Sequence, residues 1–112
     1  MDPLKLIESK PGSYSLLLYA GSTDVDELVQ ELGHEPNGYF WEGVAQFLVR
    51  TEAPSLADRF DYDPEGDTFC AYGDDRPALE ELALLMSETA TTPSRMRSLI
   101  TAAKAADFEF DD

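Results

Sequence analysis

Few residues in this chain have a type and spacing that could support chemistry. Histidine occurs once, as His34, and cysteine once, as Cys70. A zinc site is built from several imidazoles, thiolates or carboxylates around one ion, and these two side chains do not begin one. As a general base, His34 would need a nucleophile and an orienting acid. The sequence supplies no spacing that places them, and a position just past a helix end suits a structural or solvent-facing imidazole. Cys70 lies between Phe69 and Ala71, the setting of a small buried hydrophobe. The 23 carboxylates are so many that no pair singles itself out as acid and base. No glycine-rich phosphate loop is present. The sequence therefore assigns no catalytic residue and no cofactor.

Two short runs stand out. Asp61-Tyr62-Asp63-Pro64-Glu65-Gly66-Asp67 places acids at alternate positions with glycine sixth, as a calcium loop does. The pattern fails at its twelfth position, where Tyr72 replaces the bidentate glutamate, and the flanks read as strands rather than helices. The run is read as an acidic hairpin tip with no metal. The second run, Gly38-Tyr39-Phe40-Trp41-Glu42, is the densest aromatic cluster. Phe40 belongs to an apolar stripe with Val44 and Phe47. Tyr39 and Trp41 point elsewhere, and such rings serve either as core or as interface anchors.

The elements that must position these runs follow from periodicity. Leu4, Leu6 and Ile7 suggest a first strand, and Pro11-Gly12 a turn. Ser13 to Ala20 alternates as a second strand, with Leu16 and Leu18 on one face. Leu17 and Tyr19 make the other face apolar, which predicts a central strand covered on both sides. Asp24 with Glu27 reads as a capping box for a helix bearing Val25, Leu28, Val29 and Leu32, ended by Gly33. Asn37 is the N-cap expected for a second helix that stops before Pro54. Phe60 to Tyr72 reads as a hairpin turning at Gly66. Helices starting at Pro77 and Pro93 follow. The tail from Asp107 alternates like a short strand or an extended acidic arm. The expected fold is α+β, a sheet of about four strands with helices packed on it, in the order β-β-α-α-β-β-α-α. A weak internal echo links Leu18-Tyr19-Ala20-Gly21 to Cys70-Ala71-Tyr72-Gly73, each strand ending at glycine before acids and a helix.

A length of 112 residues fits one domain spanning the chain, long enough for a core without disulfides. The net charge is -15, with acids in excess in both halves. Such a chain is repelled by phosphate backbones and anionic lipids, so direct nucleic-acid or membrane binding is not expected, while a basic protein surface attracts it. The amino end resembles no signal peptide, and a cytoplasmic setting is the default expectation.

Gly38-Tyr39-Phe40-Trp41-Glu42-Gly43-Val44-Ala45, with Phe60 to Gly66 and Phe69-Cys70-Ala71-Tyr72-Gly73, resembles the immunity protein 51 family. The ending Phe108-Glu109-Phe110-Asp111-Asp112 is similar too, so the resemblance runs from about Tyr14 to the end. These are small bacterial proteins encoded beside polymorphic toxins. The resemblance implies binding and neutralisation of a cognate toxin, and it brings no catalytic residues. Electrostatics adds that the partner has a basic surface, as a nuclease cleft does. The expected partner-binding residues are Tyr39, Trp41, Glu42, Asp61, Asp63, Glu65, Asp67, Asp74 and Asp75. Two other readings remain open: an acidic mimic of nucleic acid, with charge along one elongated face, and a small hydrolase, with carboxylates converging in a deep pocket.

Overall fold

The computed structural model describes residues 2–111. The chain runs β1 (Lys5–Lys10), β2 (Ser13–Tyr19), α1 (Asp26–Glu31), α2 (Gly38–Glu52), a single 3-10 turn (Pro54–Leu56), β3 (Asp61–Tyr62), β4 (Thr68–Gly73), α3 (Arg76–Thr91) and α4 (Pro93–Ala105). The four strands form one antiparallel sheet in the order β1-β2-β4-β3. The fold is thus α+β with four helices, and β2 and β4 pair centrally, Leu16 opposite Ala71 and Leu18 opposite Phe69.

Alternation along these strands decides what the sheet buries. Leu16, Leu18, Phe69 and Ala71 are wholly buried, beneath α2 and α3. The opposite face carries Ile7, Tyr19 and Tyr72, which are 46%, 46% and 42% exposed. The expectation that β2 is covered on both sides is therefore corrected. Both long helices take the same side, and the outer face keeps its apolar groups half in water. The Lys5 ammonium sits 5.8 Å from the centre of the Tyr19 ring, a cation–π contact lying over that face.

α2 is the central helix. Asn37 caps it as expected, its side-chain oxygen accepting the Phe40 N–H at 2.9 Å. The stripe Phe40, Val44, Phe47 is buried, and so is the adjoining stripe Trp41, Ala45, Leu48. A helix apolar on so much of its circumference must be enclosed by several layers. Sheet and α3 supply two of them. The carboxy-terminal segment supplies a third: Phe108 stacks near Phe47 at 5.2 Å and Phe110 near Phe40 at 4.9 Å between ring centres. That segment is neither a strand nor a free acidic arm. Its phenyl rings turn inward and its acids outward. Asp112 lies outside the described residues.

The start of α1 also differs from the capping box read at Asp24. The helix begins at Asp26 with no side-chain cap bond. Thr23 instead accepts the Val25 N–H at 3.3 Å and donates its hydroxyl proton to Asp26. Gly33 has φ +89° and closes the helix in the left-handed conformation that favours glycine. α4 leans on α3 and α1 through Met96, Leu99, Ile100 and Ala103. Arg95 at its start lies 3.3 Å from Glu52 and 3.7 Å from Glu88, tying three helices together at the surface.

Candidate functional site

The acidic hairpin is held at its tip from two sides. The Gly38 N–H donates to the Gly66 carbonyl at 2.9 Å, and the Ala20 N–H donates to the Asp67 carbonyl at 2.7 Å. Gly66 turns with φ +43°, and Glu65 and Thr68 close the loop with paired backbone bonds. Within that frame, alternation sends Tyr62 inward against Phe69 and sends Asp61, Asp63 and Glu65 to the outer face. All four hairpin carboxylates, Asp67 included, are exposed.

Gly38 explains why the aromatic run begins with glycine. A Cβ there would land on the backbone of Thr68, so only glycine lets the start of α2 approach the hairpin. Tyr39 follows it, 41% exposed, with its hydroxyl 3.5 Å from the Gly66 N–H. Tyr39 thus sits beside the hairpin turn at the surface. Trp41 does not. It is wholly buried, edge-on to Phe40 at 5.6 Å, and its indole N–H has no hydrogen-bond partner among the described residues. The expectation that Trp41 offers a partner-binding surface is corrected to a core role. The signal was present in the helical spacing of Trp41, Val44, Ala45 and Leu48.

Glu42 lies half-buried on α2, facing Tyr62 and the tail. Burial pushes its carboxyl above the ordinary range, and the nearby Asp111 charge adds to this. Tyr62 is pushed up to about 12, first by burial and then by Glu42. Asp75 is tied into the fold: it accepts the Ala78 N–H at 3.1 Å as the cap of α3, and its other oxygen meets Arg59 at 3.0 Å. Asp74 beside it is exposed. The structure therefore sets Tyr39 beside the hairpin turn at Gly66, gathers Asp61, Asp63, Glu65 and Asp67 as exposed acids of the hairpin, sets Asp74 on the surface, and gives Trp41 and Asp75 structural work.

Cys70 sits on the outer face between β2 and β3, half-buried. Burial raises its thiol pKa, as do the charges of Asp63 and Glu65, while a hydrogen bond with Ser15 opposes them. A thiol held in its neutral form is a poor nucleophile at neutral pH. The His34 ring packs at 5.6 Å from Phe40 and 5.1 Å from Phe110, in a cleft of about 710 Å³ lined also by Arg97, Ile100 and Lys104. Among the described residues, no group of three or more His, Cys, Asp or Glu side chains is placed to hold a metal ion. Among the same described residues, no helix is long and apolar enough to cross a membrane.

Comparison with curated proteins finds no match, and comparison with solved structures finds none. The family described as Immunity protein 51 matches residues 4–105. The match takes in β1, which the aromatic and acidic segments alone did not reach, and stops short of the Phe108 and Phe110 clasp. It covers both of those segments and every helix of the fold, and on that ground the chain belongs to the immunity protein 51 family.

Proposed function

We propose that this protein binds a cognate polymorphic toxin and blocks it by covering a basic surface on it. The observation that carries the reading is the family match over nearly the whole chain. The charge supports it: at -15 the protein is drawn to cationic surfaces, and the hairpin gathers four exposed carboxylates where a partner can reach them. A nuclease, whose substrate cleft is basic, is the toxin class this charge fits best. No catalytic step belongs to this reading; inhibition is by occupancy, in the cytoplasm, where the toxin acts.

The test is co-expression of the toxin domain encoded beside this chain, with and without the protein, in a sensitive bacterial host. Growth restored by the protein is the expected result, and killing that continues at full expression of folded protein refutes the reading. Reversing Asp63 and Asp74 to lysine should slow association about tenfold and flatten its dependence on salt, because these charges steer the encounter.

A further inference from the structure

The outer face of the sheet is organised in rows. Reading across the strands, Ile7, Ser15, Tyr72 and Asp61 lie opposite one another in register. The next row on this face is Lys5, Leu17 and Cys70, whose carbonyl accepts the Asp63 N–H at 2.9 Å. The third is Tyr19 and Thr68, continued by the bridge to Glu65. Each row ends at a carboxylate on the β3 side; the first and third begin with Ile7 and Tyr19, and the second with Lys5, whose ammonium lies over the Tyr19 ring. Of the five large hydrophobic residues exposed among the described residues, three, Ile7, Tyr19 and Tyr72, stand on this one face. Isolated apolar side chains on a surface are ordinary, whereas a grouped set rimmed by charge marks a binding face.

We propose that this open sheet face, apolar in its middle and acidic along β3, is the surface that receives the toxin, with Ile7, Tyr19 and Tyr72 as the apolar anchors and Asp61, Asp63 and Glu65 as the charged edge. The inference rests on the toxin-binding reading above. Its occupant is a protein surface with an apolar patch flanked by lysine or arginine. Charge complementarity selects that occupant over a second copy of this chain, because every copy brings the same -15. Aromatic rings at the centre of such a patch supply affinity, and the flanking acids supply register and encounter rate.

Cys70, the chain's one cysteine, stands in the middle row and reports on the face without any substitution. The experiment measures alkylation of Cys70 at mildly alkaline pH, with and without the toxin domain encoded beside this chain. Affinities of Ile7→Ala, Tyr72→Ala and, as a control on the helical side, Leu84→Ala are measured against the same domain. The expected result is strong protection of Cys70, a loss of about 30-fold in affinity for Tyr72→Ala, a smaller loss for Ile7→Ala, and no appreciable change for Leu84→Ala. If the toxin binds but Cys70 is alkylated at its free rate, the interface lies elsewhere and this inference alone falls. A dimer of this chain that dissociates on Ile7→Ala would likewise overturn it, by giving the face to a second copy. If the unaltered protein neither binds nor protects, the toxin-binding reading falls and this inference with it. The footprint uses unaltered protein, so misfolding of a variant cannot blur the outcome.

Discussion

Gly43 lies directly against the ring of Phe110. A Cβ built on that glycine would come within 2.6 Å of Phe110 Cδ1, closer than real side chains approach. The glycine in the middle of α2 therefore exists for the tail: it opens a seat in the helix surface that the carboxy-terminal phenyl ring fills.

Gly43→Ala should accordingly displace the tail and cost about 1–3 kcal/mol, the range for overpacking a tight contact. Phe110→Ala removes the other partner and costs a similar amount. The double variant should be much less destabilised than the sum, since the clash no longer exists. Denaturant melts of the four proteins measure the coupling, and simple additivity would disprove the contact. Gly38→Ala has no such rescue, because its obstacle is the backbone of Thr68.

Trp41→Ala should cost about 3–5 kcal/mol, because it empties a wholly buried site in the central helix. Trp41→Phe should cost less, about 1–3 kcal/mol, since it keeps a ring in the core and removes the unpaired indole N–H. Neither variant should alter toxin affinity once folding is corrected for. A specific binding defect in a fully folded Trp41→Phe protein would contradict the core assignment.

Glu42 and Tyr62 make stability depend on pH, with the same sign. Each has its folded-state pKa raised, so each favours the folded state when protonated and loses that contribution as pH rises. For Glu42 the contribution is lost as pH rises through its raised folded-state pKa. Glu42→Gln should therefore melt higher than the unaltered protein at neutral pH, and the gap should close in acid. For Tyr62 the contribution is full below pH 10 and is lost as pH rises through about 12. Tyr62→Phe should flatten that alkaline limb. In an absorbance titration of the five tyrosines, the last to ionise should vanish in the same variant.

What could be read in the sequence was what depends on neighbours along the chain. Asn37 as a cap, Gly33 as a stop, the turn at Gly66 and the helix start at Pro93 all express local backbone preferences, and the structure has each of them, while the helix read from Pro77 begins one residue earlier, at Arg76. The pairing of rows across four strands was not legible, because the register of β2 against β4 joins residues far apart in sequence. The outer-face error came from the same source. Leu17 and Tyr19 look like the second buried face of a central strand, but whether a helix covers them depends on which side α2 and α3 take. Trp41 was legible in principle, since its helical spacing marks a second apolar stripe. The inward turn of Phe108 and Phe110 was not, since the seat at Gly43 lies in another element.

The pairing of β2 with β4 also shapes how the chain reaches its fold. The β1–β2 and β3–β4 hairpins each close a short loop, which is fast and entropically cheap. Joining Leu16 to Ala71 closes a loop of about half the chain. That seam is the non-local step on which the folding rate depends. During synthesis the first hairpin leaves the ribosome with Leu16 and Leu18 on an unpaired edge, and that edge stays open until β4 has emerged. The pairing edge that a newly made chain holds open while its second half is being made is thus the one that later forms the middle of its sheet.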